Sequence, residues 1–238
     1  MNWLKPVAEQ GRKSSTIDLL LFDLDGTLID SVPQLHLAVD GALQACGLPG
    51  ATLEQVKRWI GNGADMLLRR AMTHSYEVQN DIDLGLLARV RAEFDVRYLA
   101  GLDRDFTLFP GVSSVLRQLR AVGYRLAVVT NKPHPFVAPL LAEAGLSSLF
   151  DCVLGGDLLP QRKPDPAPLL HVCTQLQVSP ARSLMIGDSR NDVLAARAAG
   201  IPVVGLTYGY NHGEPIAASE PDWVMDHFCQ LGDLLLAH

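Results

Sequence analysis

The sequence predicts an α/β fold, a doubly wound parallel sheet interrupted by an inserted all-helical domain. Three observations lead there. Short runs of strand length alternate with helical patterns over most of the 238 residues. Those runs are apolar almost throughout, as strands buried on both faces of a parallel sheet are. Between the first and second runs, about 75 residues carry helical patterns alone, more than an ordinary crossover needs.

The first run is IDLLLF, Ile17 to Phe22. The others are YRLAVVT (124–130), FDCVLG (150–155), SLMIGD (183–188) and IPVVGL (201–206), each bounded by turn residues. Helical spacing joins Val112, Val115, Leu116, Leu119 and Val122, and Gly123 stands where a C-terminal cap belongs. An Ala-rich helix runs from Asn191 to Ala199 and stops at Gly200. Within the long interval, Leu35, Val39, Leu43 and Cys46 form one stripe closed by Gly47. Leu87, Val90, Phe94 and Tyr98 form another, and TLEQVKRWI and ADMLLRRAM are shorter helices joined by GNG. These boundaries give an arm at 1–16 with no assigned role, an α/β core at 17–32 and 107–238, and a helical cap at 33–106. The insertion leaves and returns near the carboxyl end of the first strand, where ligands bind in open α/β sheets. It is placed to act as a lid.

A hydrophobic fraction of 48% is ample for a large core. With 20 Lys and Arg against 26 Asp and Glu, the chain lacks the basic surplus of a nucleic-acid binder. The start has no secretory apolar run, and no stretch approaches a membrane span. Cys46, Cys152, Cys173 and Cys229 are far apart with no CxxC, which reads as reduced thiols in a cytoplasmic protein.

The first run ends in Asp23 and Asp25, followed by Gly26 and Thr27. Two carboxylates so close favour a cation between them or a proton on one. Mg²⁺ suits such hard oxygen ligands. Taken alone, the stretch fits an Asx turn equally well. Other strand ends add to it. The second strand ends at Thr130, followed by Asn131 and Lys132. The fourth ends at Asp188 with Asp192 just beyond, and Lys163 sits between prolines in PQRKPDP. Parallel strands present their carboxyl ends on one edge, so these residues are brought within reach of one another. Together they offer a metal cage, a nucleophile, a hydroxyl and a cation, which is what phosphoryl transfer requires.

DLDGTLIDS, VVTNK, RKPDP and IGDSRNDVLAARAAG, in that order, resemble the four signature motifs of the haloacid dehalogenase-like hydrolase superfamily. The resemblance implies a Rossmann-like core with a small helical cap and a set of roles. Asp23 is the nucleophile and a Mg²⁺ ligand. Asp25 is the general acid and base, its side chain free and its main-chain carbonyl on the metal. Asp188 completes the protein's metal ligands, and Thr130, Asn131 and Lys163 bind the phosphoryl group. Asp192 orients Lys163 or a metal-bound water, and main-chain amides near Leu24, Gly26 and Asn131 add donors. Dehalogenase relatives lack this DxD pair, phosphonatase relatives carry a small second residue and pump ATPases a threonine. Asp25 therefore favours phosphate monoester hydrolysis, and the closest resemblance is to enzymes acting on 2-phosphoglycolate. Phosphatases of sugar phosphates or pyrophosphate, and a β-phosphoglucomutase-like mutase, remain alternatives, as does a phospho-receiver domain. The implied partner is a small phosphorylated metabolite, with neither nucleic acid nor membrane, for a monomer or homodimer. Gly61, Asn62, Gly63 and Arg69 of the cap, with His134, Asn211 and His212, are further candidates to touch substrate.

Overall fold

β1 (Leu19–Phe22) is buried at every residue. Its side chains alternate between two cores: Leu20 and Phe22 face one, Leu19 and Leu21 the other. A strand with apolar matter on both sides needs helices on both sides. The computed structural model, which describes residues 17–78 and 82–236, supplies them. After β1 come β2 (Ile29–Asp30), α1 (Val32–Ala45), α2 (Leu53–Trp59), α3 (Ala64–Thr73), α4 (Leu84–Ala100) and β3 (Thr107–Leu108). The chain continues through α5 (Val112–Ala121), β4 (Arg125–Val129), α6 (His134–Glu143), β5 (Cys152–Leu154) and α7 (Ala167–Gln175). It ends with β6 (Ser183–Gly187), α8 (Arg190–Ala199), β7 (Val203–Leu206), β8 (Trp223–Met225) and α9 (Cys229–Leu236). Residues 1–16, read from sequence as an arm, lie outside the described residues.

Six strands form one parallel sheet in the order β5-β4-β1-β6-β7-β8. β1 is central, with Leu20 in register with Leu126 on one side and Leu184 on the other. Side chains of α5, α6 and α9 fill one core, and those of α7 and α8 fill the second. The fold is the predicted doubly wound α/β architecture. One predicted stripe residue departs from it: Val122 is the C-cap of α5 and 63% exposed. The helix ends one residue earlier than the pattern implies. β8 was not foreseen, because its three apolar residues at the sheet edge are too few for a strand-length run; Val224 is exposed. All four cysteines are free. Among the described residues no helix is long and apolar enough to cross a membrane.

The interval between β2 and β3 is helical. The stripe Leu87, Val90, Phe94 and Tyr98 is buried on α4, and Leu35, Val39 and Leu43 are buried on α1, which packs along it. α2 opens with a reciprocal cap: Thr52 Oγ1 accepts from the Gln55 amide, and Gln55 Oε1 accepts from the Thr52 amide. α4 opens with Asp83 accepting from the Gly85 and Leu86 amides. Gln34 Nε2 donates to the carbonyls of Gly101 (2.7 Å) and Arg104 (3.0 Å), tying the start of the insertion to its end. No strand was read from about 32 to 106 and none lies there among the described residues; β2 and β3, not foreseen, flank the interval and pair antiparallel, Ile29 opposite Leu108 and Asp30 opposite Thr107. Two residues apiece are too few for a periodic signal. The outgoing and returning chains thus lie side by side, just past the carboxyl end of β1.

Candidate active site

Because the strands are parallel, their carboxyl ends share one edge. Asp23 follows β1, Thr130 follows β4 and Asp188 follows β6. The loop after β5 carries Lys163 to the same place. Its Nζ lies 3.0 Å from Asp23 Oδ1 and 2.6 Å from Asp192 Oδ1. Asp192 sits in the first turn of α8, where its Oδ2 also accepts from the Ser189 amide and hydroxyl. That leaves Asp192 fully committed to aiming Lys163 and capping the helix. The predicted set of Asp23, Thr130, Lys163, Asp188 and Asp192 converges.

Oxygens of Asp23, Asp188 and Asp192 all lie within 4.8 Å of one another. Burial is the main force raising the Asp23 carboxyl from 3.8 to about 6, with Asp192 adding repulsion and Lys163 opposing the rise. Burial, then Asp23 and Asp192, push Asp188 well above its ordinary value. Lys163 is held above the usual lysine range: burial opposes its charge, but Asp192 and Asp23 outweigh that. One lysine thus stands at a cluster of three carboxylates, two of them buried and Asp23 partly so. The deficit of positive charge, with hard oxygen donors converging, fits a divalent cation of the Mg²⁺ kind.

Asp188 is aimed by its surroundings. Oδ1 accepts from Thr27 Oγ1 at 2.7 Å and Oδ2 from the Tyr210 amide at 2.7 Å. Gly26 makes room for it. Its φ is +87°, and a Cβ there would meet Asp188 Oδ2 at 2.3 Å. Gly26→Ala is therefore expected to destabilise the fold by about 2–3 kcal/mol, summing left-handed strain and the clash. Phosphate release falls with it, because Asp188 is displaced. Thermal melting alongside an activity assay checks both.

Asp25 is held by two neighbours that sequence reading did not name as its partners: Oδ1 accepts from Ser31 Oγ at 2.6 Å, and Lys132 Nζ lies 2.9 and 3.1 Å from its two oxygens. Lys132 is buried and was missed as a site residue, since a lysine after a strand reads as solvated. It is buried because α4 returns over the loop and lays the Tyr98 ring against the ammonium, 4.6 Å from centroid to Nζ. Asp25 keeps Lys132 charged against the opposition of burial.

Two of the predicted main-chain donors are occupied. The Leu24 amide donates to Asp23 Oδ1 and the Gly26 amide to the Ile29 carbonyl. Asn131 spends its side-chain amide on the carbonyls of Gly61 (2.9 Å) and Lys163 (2.8 Å). Asn191 Nδ2 also donates to Gly61 O, at 3.1 Å.

A cavity opens between the aspartates and the helical layer, lined by Asp23, Asp25, Thr130, Asn131 and Lys132 on one side and by Gly61, Gly63 and Ala64 on the other. Asn62 and Arg69 do not line it; Arg70 takes the Asn62 side chain. Nor do His134, Asn211 or His212. The His134 amide donates to Asp157, Asn211 accepts from the Arg190 amide, and the His212 ring meets the Arg58 carbonyl. These loop residues hold the frame together.

A profile of the family described as "Hydrolase: haloacid dehalogenase-like hydrolase" matches residues 17–200. The chain is 48% identical over 220 residues to the phosphoglycolate phosphatase of Vibrio vulnificus, covering 92% of this chain and 96% of that one. It is 49% identical over 219 residues to the phosphoglycolate phosphatase of Photobacterium profundum, with the same coverage of 92% and 96%. The crystal structure of a predicted phosphoglycolate phosphatase from Haemophilus somnus superposes with a TM-score of 0.86 at 41% identity, covering 93% of this chain and 99% of the other. By motif order, sheet topology and kinship, this chain belongs to the haloacid dehalogenase-like hydrolases.

Proposed function

We propose that the chain is a Mg²⁺-dependent phosphatase that converts 2-phosphoglycolate to glycolate and phosphate through a phosphoaspartate on Asp23. The observation that carries the reading is the placement of Asp23, with Lys163 at 3.0 Å, at the end of the central strand and at the mouth of one cavity shared with Asp25 and Thr130. The names of the relatives supply the substrate. The same division into a core at 17–32 and 107–238 and a cap at 33–106 belongs to this reading.

An Asp23 oxygen attacks phosphorus as the bond to the leaving oxygen breaks, and Asp25 gives that oxygen its proton. Lys163, Thr130 and the Asn131 main-chain N–H hold the other phosphoryl oxygens. A water then attacks phosphorus, gives its proton to Asp25, and the Asp23–phosphorus bond breaks. Ser31 and Lys132 fix the Asp25 carboxyl for both transfers. Asp23, Asp188 and the Asp25 carbonyl would hold Mg²⁺, which when bound neutralises charge on the phosphoryl group.

Phosphate release from a panel of 2-phosphoglycolate, hexose phosphates and pyrophosphate, with and without Mg²⁺, tests the assignment. Leading rates on 2-phosphoglycolate support it; a lead for hexose phosphates removes the substrate and leaves a phosphatase.

The acidic cluster makes a second test by stability. Asp23 and Asp188 have folded values above their unfolded ones, so each opposes folding increasingly as pH rises: Asp23 from about 4 through about 6, and Asp188, raised well above its ordinary value, likewise as it ionises. In chelator near neutral pH, Asp188→Asn is expected to raise the melting temperature by roughly 2–4 °C, the equivalent of 1 kcal/mol in a domain this size. The gain shrinks as pH falls toward 4, while the variant loses turnover. Mg²⁺ at about 100 times its Kd stabilises the unaltered protein by about 2.7 kcal/mol and does much less for the variant.

A further inference from the structure

The cavity beside the aspartates has an apolar wall on the helical side, built by Leu35, Ile60, Leu67, Phe94 and Phe136. Two polar groups break that wall. Tyr98 lines the cavity and is 1% exposed; the Lys132 ammonium lies beside its hydroxyl, whose own hydrogen meets no acceptor among the described residues. A buried O–H without an acceptor is costly and calls for one. Lys132 is the second. An ammonium has three N–H bonds; two approaches, at 2.9 and 3.1 Å, go to Asp25, and the ammonium sits against the Tyr98 ring.

The two buried lysines serve different aspartates of the cavity. Lys163 touches Asp23 and Asp192, on the side where the phosphoryl group meets its nucleophile. Lys132 touches Asp25, on the side of the leaving oxygen. Whatever is attached to that oxygen must extend from Asp25 toward Tyr98 and the apolar wall. A sugar there would leave hydroxyls against Leu67 and Phe94 without partners. A carboxylate one carbon from the ester oxygen meets a cation and an unspent O–H.

We propose that Lys132 and the Tyr98 hydroxyl form a carboxylate-binding subsite, so that the site selects phosphate monoesters of small hydroxy acids. The proposal rests on the phosphatase reading above and adds which residues read the organic part of the substrate. Charge-assisted hydrogen bonds from both groups anchor the carboxylate, and the aliphatic and aromatic wall limits what lies between it and the phosphoryl group.

The test compares 2-phosphoglycolate with ethyl phosphate, which has two carbons and no carboxylate. The readout is the ratio of their kcat/KM values, which is independent of the active fraction of a preparation. The unaltered protein favours 2-phosphoglycolate. Tyr98→Phe lowers the ratio about 10-fold, and Lys132→Met lowers it about 100-fold or more, as expected for lost hydrogen bonds to a charged group. Should Lys132→Met prove too unstable to assay, Tyr98→Phe, which removes one oxygen atom, still decides. A ratio unchanged in the variants, with both esters slowed in parallel, overturns the subsite: Lys132 then serves Asp25 alone. Equal rates on the two esters in the unaltered protein overturn it as well, and in both cases the phosphatase reading survives. Release of phosphate from neither ester defeats the phosphatase reading itself.

Discussion

Asp23→Asn is expected to lower phosphate release by at least about 10⁴-fold while leaving the fold intact. The amide keeps the shape of the carboxylate but has no oxygen able to form a stable bond to phosphorus. Nothing in the neighbourhood replaces it: Asp25 is engaged by Ser31 and Lys132, Asp188 by Thr27 and Tyr210, and Asp192 by Lys163 and Ser189. Folding survives because Asp192 remains as a partner for Lys163, and because a group whose carboxyl is raised to about 6 by burial loses little when its charge is removed. Acid quenching during turnover checks the chemistry. The unaltered protein retains acid-stable phosphate equivalents on Asp23; the variant retains none. Turnover by Asp23→Asn within a few-fold of normal removes Asp23 as the nucleophile.

Lys163→Met is expected to damage activity and stability together, and to be the most damaging of these changes for stability. Lys163 is 2% exposed in its side chain and stands between Asp23 and the fully buried Asp192. Removing one partner of a buried pair leaves the other charge uncompensated, at a cost of about 3–5 kcal/mol. Activity falls too, since the developing charge on the phosphoryl oxygens loses its cation; on the order of a 10³-fold drop is expected. The two effects separate in a double variant. Lys163→Met with Asp192→Asn removes the stranded charge, so thermal melting recovers much of the lost stability while turnover stays low. Recovery of turnover together with stability would reduce Lys163 to a structural role.

Much of this was legible in the sequence, and for identifiable reasons. Runs such as LLLF and LMIG state burial on both faces directly, and Asp23, Thr130 and Asp188 follow such runs immediately, so strand direction alone gathers them. Gly47, Gly123 and Gly200 marked helix ends because their φ values of +76°, +99° and +68° favour glycine. What escaped depends on contacts between segments far apart in the chain. Lys132 is buried only because Tyr98 of α4 lies against it. Nothing local shows that the Asn131 side-chain amide is spent on the Gly61 and Lys163 carbonyls, leaving its main-chain N–H as the donor. His134 and His212 are polar residues near an edge, and nothing local shows that their partners are Asp157 and the Arg58 carbonyl.

The pairing of Ile29–Asp30 with Thr107–Leu108 has a consequence for how such a protein diversifies. Because the helical segment is attached at two hydrogen-bonded neighbours, both of its ends are presented at a single point, like a graft on a stem. A segment mounted so can be exchanged, lengthened or trimmed by recombination without reordering any strand of the central sheet. Change within that segment is thereby decoupled from the strands that carry Asp23, Thr130 and Asp188.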